Sequence, residues 1–128
     1  MKLLSVCIPT FRRSRALQSL VTSLALEVDR YKLPIEIVIS DNASPDDTQK
    51  QIEVLQSEYS FIKYFRNENN VGGTKNFHLA IERANTEYTW LIGDDTLVPF
   101  NTLSFLVATL NQNPLLDLLI LSGDNQPA

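Results

Sequence analysis

The chain has 128 residues, 44% hydrophobic and 20% charged, ordinary usage for one globular domain with its own core, which excludes collagen-like, coiled-coil and largely disordered chains. Eleven Lys and Arg against fifteen Asp and Glu give a formal charge of −4, which disfavours nucleic acid or an anionic membrane surface as a partner. A single cysteine, Cys7, and a single histidine, His78, exclude an internal disulfide and a structural zinc site and fit a reducing compartment.

The amino-terminal apolar stretch is interrupted by Pro9, Arg12 and Arg13 before a signal-peptide core is complete. Strand-like residues at 3–8 lead to Pro9, and Leu17, Leu20, Val21 and Leu24 then fall at helical spacing within 14–26. Pro34 precedes a second strand at 35–40. Ser44, Pro45 and Asp47 then supply an N-cap, a first-turn proline and a capping-box acid for a helix running to about Glu58. A third strand at 61–65 leads through a polar loop with Gly72 and Gly73 to a helix with Phe77, Ala80, Ile81 and Ala84 on one side. The fourth strand is 88–92. Beyond Pro99, Leu103, Leu106, Val107 and Leu110 mark a helix that stops before Pro114, leaving 115–121 as a fifth strand. Asp117 breaks that last apolar run, which is far short of the roughly 20 residues a membrane helix needs. A cytoplasmic location is the expectation, and the sequon Asn42-Ala43-Ser44 is then without consequence.

This alternation predicts one α/β domain over 1–128, an open, mostly parallel sheet with helices on both faces, because parallel strands need long right-handed crossovers. In such sheets ligands bind beyond the carboxyl ends of the strands, where strand order reverses. The loops at those ends hold Pro9, Thr10, Arg12 and Arg13; Asp41, Asn42 and Ser44; 67–73; and Gly93, Asp94 and Asp95. Adjacent carboxylates at Asp94 and Asp95 repel unless a cation or proton relieves them. Mg²⁺ or Mn²⁺, which takes one or two carboxylates and fills its shell with water and phosphate oxygens, is one relief; capping of the following turn is the other reading. Asp41 can accept from a ribose or a base imide, or serve the turn with Asn42 and Ser44. Arg12 and Arg13 can reach a phosphate or remain solvated. Gly72 and Gly73 match neither the dinucleotide nor the Walker A pattern. Cys7 and Trp90 read as core, and His78 as structural or exposed.

Four segments in order resemble the donor-binding, amino-terminal half of the family 2 glycosyltransferases, which have the GT-A fold. They are 5–13 (SVCIPTFRR), 39–46 (ISDNASPD), 67–73 (NENNVGG) and 87–95 (EYTWLIGDD). The resemblance implies inverting transfer of a sugar from a nucleotide sugar to an acceptor hydroxyl, with Mn²⁺ or Mg²⁺ holding the diphosphate. It implies nucleotide contacts from Pro9, Thr10, Arg12, Asp41, Asn42, Gly72, Lys75 and Asp94, with Thr10 and Asp41 lining the nucleoside pocket. Asp95, with Asp94, is the implied metal ligand. Gly93 stands where the family's first aspartate usually does, so Gly-Asp-Asp replaces Asp-Xaa-Asp.

The family's general base and acceptor loops are expected beyond residue 128, and Asp124 is the only late acid. A glycan or lipid-linked glycan acceptor, cell-envelope polysaccharide synthesis at the inner membrane face, and pairing of two copies through the fifth-strand edge are further expectations. The alternatives are a non-catalytic nucleotide-sugar binding module and, more distantly, a receiver-like signalling domain. A receiver needs acids after its first strand and Lys after its fifth, where this chain has Thr10, Gly123 and Asp124.

Overall fold

The computed structural model of the chain describes residues 2–121, so Asp124 lies outside the described residues. Four strands, β1 (Leu4–Thr10), β2 (Ile35–Asp41), β3 (Ile62–Arg66) and β4 (Tyr88–Leu91), pair in parallel in the order β3-β2-β1-β4. They alternate with α1 (Ser14–Tyr31), α2 (Thr48–Glu58), α3 (Gly73–Glu82) and α4 (Thr102–Gln112).

Alternation along the strands builds two cores. Leu4, Val6 and Ile8 of β1 lie on one face with Ile35, Ile37 and Ile39 of β2, under Leu17, Leu24 and Val28 of α1, Ile52 of α2 and Leu103 of α4. The opposite face carries Cys7 and Val38 under Ala80 of α3, a much smaller core. Both central strands are buried along their whole length, as a parallel sheet covered on two sides requires. The open sheet with helices on both faces is therefore as expected, and Cys7 is the buried apolar residue the sequence suggested. Among the described residues no helix is long and apolar enough to cross a membrane.

Three expectations are corrected. The fifth strand does not form: among the described residues, 115–121 is a turn and an irregular segment. Leu115, Leu118 and Ile120 are exposed, and Leu119 alone of this run packs on the core. In place of a ladder, the Tyr88 hydroxyl donates to the Leu116 carbonyl. Pro114 and Asp117 interrupt both the backbone donors and the apolar pattern that a strand beside β4 would need. Among the described residues the sheet edges are thus β3 and β4, and pairing through a strand at 115–121 loses its basis.

The second correction concerns α2, which begins at Thr48 rather than at Ser44. Asp46 supplies the local contact by accepting from the Thr48 amide (3.1 Å) and hydroxyl (2.6 Å), while Ser44 is drawn into the loop contacts described below. Third, α3 turns Asn76 and Ala80 inward and leaves Phe77 and Ile81 about half exposed. Its inward stripe is one residue out of phase with the apolar one, because the Asn76 amide holds the end of β2.

Candidate functional site

Strand order reverses between β1 and β4, so the loops leaving these two strands flank the crevice where this topology places ligands. The Thr10 hydroxyl at the end of β1 donates to Asp94 Oδ2 at 2.9 Å across that crevice. Arg13 lies against both acids, with Nη1 3.0 Å from Asp95 Oδ2 and Nε 3.8 Å from Asp94 Oδ1. Asp94 is largely buried and Asp95 largely exposed. Burial raises the Asp94 carboxyl above the ordinary carboxylate range; the Thr10 hydroxyl and Arg13 oppose the rise, and Asp95 adds to it.

Gly93 precedes the acids, where a side chain would meet the tips of two side chains that can move aside. A Cβ at this position would lie 3.3 Å from Asp95 Oδ1 and 3.4 Å from Thr96 Oγ1. On the outer side of Asp95 a groove of about 430 Å³ runs between α1 and the segment after β4, lined by Ser19, Ser23, Leu97 and Pro99 among others.

A second set of side chains surrounds the ends of β2 and β3. Asp41 is fully buried: its Oδ1 accepts from the Ser44 amide at 3.0 Å, and its Oδ2 from the Tyr64 hydroxyl and from Arg66 Nη1 at 3.1 Å. Arg66 also donates to the Ser44 carbonyl at 2.8 Å. Burial, and then the Asp41 carboxylate, push the Tyr64 hydroxyl up. Ser44 Oγ in turn accepts from the Arg12 amide at 3.0 Å, tying the loop after β1 to the loop after β2. Arg12 and Ala43 hold left-handed backbone conformations there (φ 56° and 62°), a strain that only a well-fixed loop sustains.

Next to this lies a polar network with every buried atom partnered among the described residues. Asn42 Oδ1 accepts from Asn67 Nδ2 (3.0 Å) and from the Val71 amide (2.9 Å), and Asn42 Nδ2 donates to Asn70 Oδ1 (2.8 Å) and the Gly72 carbonyl (3.3 Å). Asn76 Oδ1 accepts from Ser40 Oγ (2.8 Å) and Asn67 Nδ2 (3.0 Å), and Arg83 donates to Ser40 Oγ (2.7 Å) and Asn67 Oδ1 (2.9 Å). The result is a heavily hydrogen-bonded loop that ends in Gly72, whose φ of 89° suits glycine alone, just before α3.

The structure thus brings Thr10 together with Asp94 and Asp95, and Asn42 with Gly72. Pro9 is buried within β1, and Lys75 is exposed in the first turn of α3. The Arg12 guanidinium lies over the Phe11 ring at 5.4 Å, so Arg13 rather than Arg12 is the arginine that meets the acids. Sequence reasoning also missed Tyr64, Arg66, Asn76 and Arg83, and reached Asn67 only as part of the 67–73 loop. The signal for the first two is that they share a face with buried Ile62 at two-residue spacing. Asp94 and Asp95 offer hard oxygen donors of the kind Mg²⁺ or Mn²⁺ takes. No cluster of three His, Cys, Asp or Glu occurs among the described residues.

Comparison with known sequences decides the family, since the profile described as Glycosyl transferase family 2 matches residues 5–121. The chain belongs to this family. Over 110 residues, 85% of its length, this family 2 chain is 39% identical to the abequosyltransferase RfbV of Salmonella typhimurium, covering 33% of that protein. Over the same share it is 33% identical to the GalNAc(5)-diNAcBac-PP-undecaprenol beta-1,3-glucosyltransferase of Campylobacter jejuni, covering 35% of it. Among solved structures it is similar to residues 1–349 of Staphylococcus aureus TarS in complex with UDP, with a TM-score of 0.77 and 26% identity over 100% of this chain and 38% of that one. The chain spans about a third of the length of these two curated relatives and about a fifth of the Staphylococcus aureus TarS sequences it also matches. Its sheet is that of the GT-A glycosyltransferases.

Proposed function

We propose that the chain forms the nucleotide-sugar-binding part of a glycosyltransferase that moves a sugar from a nucleoside diphosphate to an acceptor hydroxyl with inversion. The observation that carries this reading is the meeting of Thr10, Arg13, Asp94 and Asp95 at the point where strand order reverses, in a family 2 chain. A similar solved structure that holds UDP supports a uridine donor.

In this reading Asp95, with Asp94 beside it, holds Mn²⁺ or Mg²⁺, which supplies positive charge to the diphosphate leaving group. Thr10 fixes the Asp94 carboxylate, so the acids keep one orientation with respect to β1. In this reading the 67–73 loop and the Asn42 amide provide a preformed wall for the nucleoside, and Pro9, Arg12, Asp41 and Lys75 are assigned further nucleotide contacts. Preformed walls lower the ordering cost of binding. Asp41, already engaged by Tyr64, Arg66 and Ser44, acts chiefly by holding that wall. A lipid-linked glycan is the acceptor class we favour, because the Campylobacter relative is named for a PP-undecaprenol-linked glycan.

Calorimetric titration of UDP, and separately GDP, with and without Mn²⁺, tests this on the wild type and on Asp95→Asn. Mn²⁺-dependent binding of UDP that disappears in Asp95→Asn is the expected result. A folded protein that binds neither nucleotide contradicts the reading.

A further inference from the structure

Arg13 is, among the described residues, the one cationic side chain paired with Asp94 or Asp95. One guanidinium against two carboxylates leaves the cluster net negative, so the acids are held together yet remain attractive to a cation. The Arg13–Asp95 contact is made in water, with the side chains 56% and 64% exposed, and such pairs are weak and screened by salt. It is therefore a contact that a stronger competitor replaces.

A divalent cation is that competitor. It needs carboxylate oxygen at Asp95, where Arg13 Nη1 now lies 3.0 Å from Oδ2, and its charge repels the guanidinium. The backbone of Arg13 does not move freely: its carbonyl accepts from the Leu17 amide at 2.9 Å, and the Arg12 amide is bonded to Ser44. The long side chain is what can swing. Displaced from the acids, a planar guanidinium at the mouth of the crevice has the donor geometry that matches phosphate oxygens.

We propose that Arg13 is an exchangeable counter-ion. It holds Asp95 and Asp94 before the donor arrives, and passes its hydrogen bonds to the donor's diphosphate when a divalent cation takes the carboxylates. This rests on the donor-site reading above and adds to it a positioning residue that couples cation and diphosphate binding. Removing Arg13 then has opposite effects on the two ligands. The cation gains, because a competitor and a repelling charge are gone; the diphosphate loses, because its donor is gone. A merely structural arginine would weaken both.

The test measures Mn²⁺ affinity by paramagnetic resonance of the free ion at low ionic strength, then UDP affinity at saturating Mn²⁺ by calorimetry, on wild type, Arg13→Gln and Arg13→Lys. The exposure of Arg13 makes both variants compatible with folding. Arg13→Gln is expected to bind Mn²⁺ up to about fivefold more tightly and UDP about tenfold or more weakly. Arg13→Lys keeps the charge and loses the fork, so its Mn²⁺ affinity stays near wild type while UDP weakens by less than in Arg13→Gln. Unchanged Mn²⁺ and UDP affinities in Arg13→Gln, or a loss of both, overturn the exchange and leave the donor site standing. A wild type that binds no Mn²⁺ overturns both.

Discussion

Thr10 and Asp94 stand 84 positions apart and are joined by a hydrogen bond of 2.9 Å from hydroxyl to carboxylate, across the crevice between β1 and β4. The bond fixes the buried half of the acid pair to β1, one of the two central strands. Thr10→Val, which keeps the shape and removes the donor, leaves Asp94 short of a partner and costs about 1–3 kcal/mol. Urea denaturation of the ligand-free protein checks this.

Asp94 also gives a pH dependence of definite sign. Burial raises its carboxyl above the ordinary value of 3.8, so the folded chain holds a proton that the unfolded chain releases at lower pH. Stability from this group declines as pH rises from 3.8 to the raised folded value, and is constant beyond it. Asp94→Asn, whose amide oxygen can still accept from Thr10, should therefore gain stability relative to wild type as pH rises through that window. Paired urea midpoints in acid and at neutrality measure the difference without added metal.

The loops around β2 depend on Asp41 in the same structural sense. Asp41→Ala strands the Tyr64 hydroxyl, the Ser44 amide and one Arg66 contact. A loss of about 1–3 kcal/mol follows from leaving the more buried of these donors without an acceptor. Tyr64→Phe removes one of those bonds and should cost about 1 kcal/mol. Thermal unfolding of the two variants against wild type reads both values.

Asn67 and Asn76 share a direct amide-to-amide bond of 3.0 Å and meet again through Ser40 and Arg83. Their substitutions should not add. A double-mutant cycle with Asn67→Ala and Asn76→Ala is expected to show a coupling of about 0.5–3 kcal/mol. Additive losses would mean that the network is a set of independent contacts.

Glu27 of α1 acts on a different element. It is buried, and it accepts from the Asn101 amide (2.9 Å), the Ser104 amide (2.8 Å) and the Ser104 hydroxyl (2.7 Å) at the start of α4. It is an N-cap supplied by another helix. Glu27→Ala should cost at least the 0.5–2 kcal/mol or so of an ordinary cap. Faster amide hydrogen exchange in α4 than in α2 would accompany the loss.

Much of this fold is legible in the sequence, because β-branched runs such as Val6, Ile8, Ile37 and Ile39 and helical stripes such as Leu17, Leu20, Val21 and Leu24 each satisfy one period. The segment at 115–121 shows the limit. Its composition is that of a buried strand, yet pairing is a tertiary event, and Pro114 and Asp117 leave only Leu119 to pack. The strand-end loops likewise identify Thr10, Asp94 and Asp95 as neighbours, since topology alone brings them together. Which arginine meets the acids depends on the left-handed turn at Arg12, and the inward face of α3 depends on Asn76 finding Ser40. Neither partner is adjacent in the chain, so no local pattern carries that information.

Placing the cation tests the central claim most directly. Substoichiometric Mn²⁺ added to the isotope-labelled protein with UDP should broaden the backbone amide signals of Thr10, Phe11, Arg13 and of Gly93, Asp94, Asp95 and Thr96. Signals at the opposite end of the sheet, such as Leu33, Phe61 and Tyr88, should stay sharp. Broadening centred elsewhere, or none in a protein with a folded spectrum, would contradict a donor site at the crevice between β1 and β4.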